Sequence, residues 1–184
     1  PLAHAIKRIF PSTFKSIQHY VTVGPTWFWG GTTLNKLNDS GQADFKMAVI
    51  EKNHPAAILF TSGSTGSAKG VLFSHNIFNH QVRILQEQFN ITPDETDLPT
   101  FPLFGLFSIG LGITSIIPEM DATKPARVDP KNIIDPIQNY KISSSFGSPA
   151  LWDTVSQYCM SQNIQLPSLK RIIMAGAPVS GDLL

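Results

Sequence analysis

The sequence predicts an α/β fold in which a mostly parallel sheet is flanked by helices. Short apolar runs alternate along the chain with longer segments of helical periodicity, and strands that alternate with helices favour parallel pairing. Hydrophobic residues make up 42% of the 184 residues and charged residues 15%, a composition that supports a sizeable core. Residues 58–73, ILFTSGSTGSAKGVLF, depart from the alternation, because two apolar runs flank a loop and predict a strand-loop-strand hairpin.

The first part of the chain carries weaker signals. Residues 18–34 predict two short strands around Gly24-Pro25, and residues 35–55 are polar and predict a linking segment. The Trp27-Phe28-Trp29 cluster is typical of core packing or of a platform that stacks a base or sugar. Core packing is favoured, because no Arg or Lys alternates with the aromatic residues.

Apolar stripes at helical spacing predict three helices after the hairpin. Ser74, Asp129-Pro130 and Ser148-Pro149 are their start signals. Pro136 lies inside the second helix and predicts a kink or a short first segment. The expected inward faces are Phe78, Val82, Leu85 and Phe89; Ile133, Ile134 and Ile137; and Leu151, Val155, Tyr158 and Cys159. Residues 169–176 predict a buried strand that runs into a loop.

Residues 98–118 are uncharged and about as long as a membrane-spanning helix. Pro99, Pro102 and three glycines interrupt this segment, and its apolar residues fall in short blocks. We therefore predict strand, turn, short helix and strand, all buried, and no transmembrane span. Peripheral contact with a membrane stays open.

Charge and cysteine content exclude several classes of protein. Fourteen Lys and Arg residues face thirteen Asp and Glu residues, which argues against a nucleic-acid surface. Cys159 is the only cysteine, so no disulfide forms within the chain, and a reducing cytoplasm is expected. No carboxylate or cysteine lies at metal-ligand spacing from His75 or His80, and we predict no protein metal site. The acidic turn at 94–97 fits either a Mg²⁺ role or, more simply, a loop at a helix end.

The loop of the hairpin has the residue types that bind a polyphosphate. Glycines allow close backbone approach, hydroxyl side chains donate hydrogen bonds, and a lysine adds positive charge. The Walker A phosphate loop does not match, because Ala68 precedes the lysine and Gly70 follows it. The simpler alternative is a solvent-exposed Ser/Gly-rich turn. The candidate phosphate-binding residues are Thr61, Ser62, Gly63, Ser64, Thr65, Gly66 and Lys69.

The segment TSGSTGSAKG, residues 61–70, resembles the signature loop of the adenylate-forming superfamily, which includes acyl-CoA synthetases and luciferases. The usual form is T-S-G-T/S-T-G-x-P-K-G, and only Ala68 departs from it. LPTFPLFGLF resembles the family segment beside the acyl pocket, and IIMAGAPVS resembles the segment that lines adenine. FPLFGLFSIGLG, IPEMDATKPARVDP and FGSPALW are similar to the olefin-biosynthesis branch, whose members activate β-hydroxy fatty acids and close them to β-lactones.

The resemblance implies part of the large domain of such an enzyme. Residues 55–184 would form its ATP- and acyl-binding α/β portion, and residues 1–54 the end of the preceding subdomain with a linking segment. It also implies a small-molecule fatty-acid substrate, ATP with Mg²⁺, and CoA in many relatives. The implied adenine-binding residues are Gly176, Ala177 and Pro178; the implied acyl-pocket residues are Phe104, Gly105, Gly147 and Ser148.

Two departures bear on activity. Gly105 stands where many acyl-CoA synthetases have a gating histidine, which implies a roomier pocket. The resemblance places no catalytic residue within this chain, because the family's Y-G-x-T-E segment, ribose-binding aspartate and C-terminal lysine would follow residue 184. Both ends look cut, and we expect a fragment that does not adenylate an acid by itself. A non-catalytic nucleotide- or acyl-binding module is the alternative function.

Overall fold

A computed structural model describes residues 2–25, 30–39, 46–61 and 68–183. The chain divides into two compact units, Pro1–Val49 and Ile50–Leu184. The predicted domain boundary between residues 54 and 55 stays a prediction.

The first unit contains short elements. Helix α1 (Leu2–Ile9) leads through a 3₁₀ turn to strand β1 (Val21–Thr22), which pairs in parallel with β2 (Thr32–Thr33), and helix α2 (Leu34–Asp39) follows. The two predicted short strands are therefore present. The Trp27-Phe28-Trp29 cluster lies outside the described residues, so the choice between core and platform stays open.

The second unit begins with the predicted hairpin. Strand β3 (Pro55–Thr61) pairs antiparallel with β4 (Lys69–Ser74), and Thr61 stands opposite Lys69 at the end of the ladder. Helix α3 (His75–Phe89) follows at once. The Oγ of Ser74 accepts a hydrogen bond from the Ile77 amide at 3.4 Å, which confirms Ser74 as the N-cap.

The remaining strands form one parallel sheet, as predicted. Its order is β6 (Thr114–Ser115), β5 (Thr96–Pro99), β7 (Ser144–Gly147) and β8 (Arg171–Met174). Helix α4 (Gly105–Gly110) lies between β5 and β6 in the sequence, α5 (Lys131–Tyr140) between β6 and β7, and α6 (Pro149–Gln162) between β7 and β8. Because these strands are parallel, their carboxyl ends meet at a single edge of the sheet.

The core lies where α5 and α6 pack against the sheet. It includes the predicted faces of both helices and also Trp152, which belongs to neither predicted face. Helix α5 runs through Pro136 to Tyr140, so a short first segment is wrong, whereas the alternative, a kink at Pro136, stays a prediction. The proline removes one amide donor, but the helix keeps its three buried isoleucines on one face. The fully enclosed core residues include Leu98, Ile133, Ile137, Ile142, Leu151 and Val155.

The prediction that residues 98–118 are all buried is wrong. The segment forms the predicted strand, 3₁₀ turn, short helix and strand, but α4 exposes one apolar face on the described unit. Leu106 and Ile109 are 63% and 69% exposed. None of the described helices has the length and apolar character needed to cross a membrane.

An ion pair joins Glu95, the residue before β5, to Arg171, the first residue of β8. The two guanidinium nitrogens donate to the two carboxylate oxygens at 2.9 and 3.2 Å, and Nη2 also donates to the Phe89 carbonyl at 3.1 Å. The Thr92 amide and the Ser143 hydroxyl complete the carboxylate's partners. The side chains of Arg171 and Glu95 are only 18% and 10% exposed, so this pair is screened from water far more than the surface pairs are.

We expect the stability of the chain to fall in acid because of Glu95. Burial acts to raise its pKa, but the hydrogen bonds from Arg171 and Thr92, the Arg171 charge and the Ser143 hydroxyl outweigh burial and lower the pKa below 4.5. A lowered folded-state pKa contributes stability above the unfolded value, and this contribution disappears as pH falls through the folded value. Urea unfolding from pH 7 to pH 3 should show the loss, and Glu95→Gln should flatten it. An equal slope in the variant would contradict this account.

Candidate active site

The carboxyl edge of the parallel sheet opens into a cavity of about 300 Å³, which we call the edge cavity. Parallel α/β sheets bind ligands at this edge, where backbone ends and loop side chains converge. Its wall is made mainly of small and aromatic residues: Thr100, Phe101, Phe104, Ala122, Pro125, Phe146, Gly147, Ser148, Ala175 and Gly176.

Gly147 is the last residue of β7 and lies against two buried side chains. A Cβ at this position would approach Thr100 Oγ1 to 2.8 Å and Trp152 Nε1 to 2.9 Å, both too close. Thr100 Oγ1 is fixed by its hydrogen bond to the Phe146 carbonyl at 3.0 Å, and Trp152 is 4% exposed, so neither can move aside easily. The wall of the edge cavity is therefore set by backbone at this point.

We expect Gly147→Ala to destabilise the chain by about 1–3 kcal/mol, because the added methyl overpacks this contact. Gly181→Ala is the matched control, since its Cβ would meet nothing within 4 Å. Urea unfolding measures both variants. Equal stabilities would mean that the contact around Gly147 is looser than described.

Gly176 has the backbone conformation that favours glycine. Its φ is +97°, and open space surrounds the position of its missing Cβ. It follows β8 after Ala175, whose amide bonds to the Gly147 carbonyl at 3.2 Å, so the two strand ends are joined. Ala177 and Pro178 continue the chain as exposed residues. This edge of the cavity leaves room for a flat group.

Ser148 caps the helix that starts at the cavity. Its Oγ accepts from the Leu151 amide at 3.3 Å, which fixes the N-terminus of α6, as predicted. The amide ends of this helix therefore begin beside Gly147, where helix polarity favours negative charge.

The segment 121–127 also contributes to the wall of the edge cavity, although none of its residues was predicted as a site residue. Asp121 accepts from the Thr123 hydroxyl at 2.6 Å and lies 3.6 Å from Lys124 Nζ. Hydrogen bonds from the Thr123 hydroxyl and amide lower the pKa of Asp121. These contacts shape the turn that presents Ala122 and Pro125 to the edge cavity. Both residues are small and uncharged, so no chemical pattern marks them in the sequence.

Stacked aromatic rings separate the edge cavity from a second one. The Phe104 and Phe146 rings lie 3.9 Å apart between centroids, and both line both cavities. The second, about 320 Å³, lies between α3, α4 and the sheet, and we call it the helix cavity. Its lining residues are Gln81, Ile84, Leu85, Ile91, Asp97, Phe104, Phe107, Ser108, Leu111, Ile113, Ser144, Ser145, Phe146, Arg171 and Ile173.

The residues that the sequence predicts for the acyl pocket do not all line the same cavity. Phe104, Gly147 and Ser148 share the edge cavity with the adenine candidate Gly176. Gly105 begins α4 instead and lines neither cavity. Its Cβ position faces Ile117, Ser115 and Pro99 at 3.3 to 3.5 Å, so it serves the packing of α4 against β5 and β6.

The predicted phosphate loop is described only at its two ends. Residues 62–67 lie outside the described residues. This range contains five of the predicted phosphate-binding residues: Ser62, Gly63, Ser64, Thr65 and Gly66. Thr61 ends β3 and Lys69 begins β4, directly across the ladder. The hairpin thus brings the two ends of the predicted loop together, while the roles of its residues stay predictions.

No metal-binding group is apparent in the part of the chain that the structure describes. Nowhere in residues 2–25, 30–39, 46–61 and 68–183 do three His, Cys, Asp or Glu side chains gather as ligands.

Comparison with known proteins assigns the family. Over all 184 residues the chain is 43% identical to an olefin beta-lactone synthetase of Stenotrophomonas maltophilia and 41% identical to one of Xanthomonas campestris. It spans 32% of the length of each of these relatives.

Solved structures share the fold. O-succinylbenzoate coenzyme A synthetase from Bacillus subtilis, in complex with AMP, has a TM-score of 0.70 at 17% identity, over 97% of this chain and 38% of that one. A Mycobacterium smegmatis protein in its apo form gives 0.73 at 19% identity, over 99% of this chain and 32% of that one. A profile of the AMP-binding enzyme family matches residues 12–184, and the chain belongs to that family.

Proposed function

We propose that the full-length protein uses ATP to convert a carboxylic acid into an acyl-adenylate, and that the acid is a long-chain or β-hydroxy fatty acid. The observation that carries this proposal is the 41–43% identity to two olefin beta-lactone synthetases across the whole chain. The resemblance of residues 61–70 to the adenylate-forming signature loop points to the same reaction.

The edge cavity supports the placement of the adenylate. Gly176 leaves open space for the flat adenine ring, and the N-terminus of α6 at Ser148 favours the negative charge of a carboxylate or phosphate. The acid would lie with its carboxylate near Gly147 and its chain directed past the Phe104–Phe146 stack into the helix cavity.

The first step joins acid and nucleotide. A carboxylate oxygen of the acid forms a bond to the α-phosphorus of ATP, and the bond from that phosphorus to the bridging oxygen breaks, releasing pyrophosphate. Such transfers depend on positioning and charge stabilisation. Lys69 and the loop hydroxyls hold the β- and γ-phosphates and stabilise the charge that grows on the leaving pyrophosphate.

The second step releases AMP. In a β-hydroxy acid the hydroxyl oxygen bonds to the acyl carbon, its proton is lost, and AMP leaves as a β-lactone closes. Attack by a CoA thiol is the second candidate, because relatives named as CoA ligases match this chain at 25% and 30% identity.

Acid-dependent exchange of pyrophosphate into ATP tests the first step in the full-length protein. We expect exchange with long β-hydroxy acids, and mass spectrometry of the products then distinguishes a β-lactone from a thioester. Absence of exchange with every long-chain, β-hydroxy and aromatic acid would contradict the proposed function.

A further inference from the structure

A group of polar side chains lies inside the otherwise apolar helix cavity. Asp97 of β5, Ser108 of α4 and Ser144 of β7 all line it. They are 9%, 2% and 5% exposed, so all three are at least nine-tenths buried. Aromatic and aliphatic side chains form most of the remaining wall, and Phe104 and Phe107 cover the side toward α4.

The two serines, one on α4 and one on β7, donate hydrogen bonds to different oxygens of the Asp97 carboxylate. Ser108 Oγ donates to Asp97 Oδ2 at 2.7 Å, and Ser144 Oγ donates to Oδ1 at 2.6 Å. These short contacts hold the Asp97 side chain in one orientation. They also connect α4 to the sheet at the level of the cavity.

The carboxylate keeps unused capacity to accept hydrogen bonds. Its two oxygens offer about four acceptor positions, and the two serines use two of them. Within the described residues Asp97 enters no ion pair, since the cation that shares this cavity, Arg171, binds Glu95. A buried polar group with an unused acceptor favours a ligand that supplies a donor.

The position of Ser144 along β7 shows how far such a donor must lie from the carboxylate of the substrate. Ser144 precedes Gly147 by three residues, which is about 10 Å along an extended strand. The Phe104–Phe146 stack lies between the two levels. A β-hydroxyl group lies too close to the substrate's carboxylate to reach Asp97. The donor must therefore belong to a more distant part of the acyl chain.

We propose that Asp97, held by Ser108 and Ser144, recognises a hydroxyl group on the acyl chain about 10 Å from the carboxylate. This inference rests on the proposed function, because it assumes that the acyl chain occupies the helix cavity. An unsubstituted acyl chain displaces water from the free acceptor positions of Asp97. It supplies no donor to replace the hydrogen bonds that those positions made with water. A hydroxyl at that level donates to one of them, so the hydroxylated acid is the better substrate.

The test uses the full-length protein and the straight-chain acid that it activates best. Acid-dependent pyrophosphate release is measured for this acid and for its monohydroxy isomers, with the hydroxyl moved one carbon at a time. We expect kcat/KM to peak for isomers with the hydroxyl near 10 Å, at about tenfold above the unsubstituted acid. Asp97→Asn should reduce the peak, whereas Asp135→Asn, at an exposed position on α5, should leave it unchanged.

The outcomes separate the two proposals. If no acid led to pyrophosphate release, the proposed function would be wrong. Release without a preferred hydroxyl position, or with the unsubstituted acid ahead of all isomers, would overturn the recognition by Asp97 alone. A peak that persists in a folded Asp97→Asn variant would also overturn it. If that variant does not fold, the wild-type position scan decides.

Discussion

Lys69→Ala in the full-length protein is expected to lower acid-dependent pyrophosphate release by about 100-fold. Lys69 begins β4 across from Thr61, at the mouth of the predicted phosphate loop. A fixed positive group aimed at charge that develops on the leaving pyrophosphate contributes mainly in the transition state, and the loss of one such group commonly has this size of effect.

A control separates this effect from a general change of charge. Lys131→Ala removes an exposed lysine at the start of α5 and should leave the rate within a factor of about two, because its charge is well solvated. Thermal unfolding of both variants verifies that they remain folded. Equal rates for Lys69→Ala and the wild type would contradict the proposed role of Lys69.

Arg171→Ala is expected to destabilise the second unit by about 3–5 kcal/mol. The substitution removes a bidentate partner at 2.9 and 3.2 Å and leaves the Glu95 carboxylate, 10% exposed, without its cation. Breaking one side of a buried pair commonly has an effect of this magnitude.

Arg83→Ala is the matched control on the same protein. Arg83 pairs with Glu87 at 3.9 Å, but these side chains are 63% and 72% exposed. Exposed pairs contribute at most about 1 kcal/mol, so the control should unfold in urea almost as the wild type does. Similar midpoints for the two arginine variants would mean that the Glu95–Arg171 pair contributes no more than a surface pair.

Local patterns predicted the hairpin and helices α3, α5 and α6 because their causes are local, whereas α2 lies mostly in a stretch that was predicted as a linking segment. Ser74 and Ser148 begin α3 and α6 since their hydroxyls accept from amides three residues later. The alternation of strands and helices likewise required parallel order, which the sheet shows. The hairpin was predictable from two apolar runs around a polar loop.

The polar interior could not be predicted in the same way. Asp97 and Ser144 are 47 positions apart, and Glu95 and Arg171 are 76 apart, so these pairs depend on strand register rather than on neighbouring residues. In the sequence Asp97 belongs to an acidic turn, and Ser144 lies in a run of three serines. Only the sheet brings them together under α4.

The exposed residues of α4 show a second limit. The uncharged composition of residues 98–118 predicts complete burial, whereas Leu106 and Ile109 are exposed in the described unit. Apolar composition indicates a tendency to bury surface but does not identify which face of a short helix is covered.

We propose that residues 61–69 hold the triphosphate while the edge cavity holds the adenylate. A crystal structure of the full-length protein with a non-hydrolysable ATP analogue tests it directly. We predict the β- and γ-phosphates against the backbone and Lys69 at the end of the hairpin, with adenine beside Gly176. Phosphates bound elsewhere, with adenine away from the carboxyl edge of β8, would contradict the account.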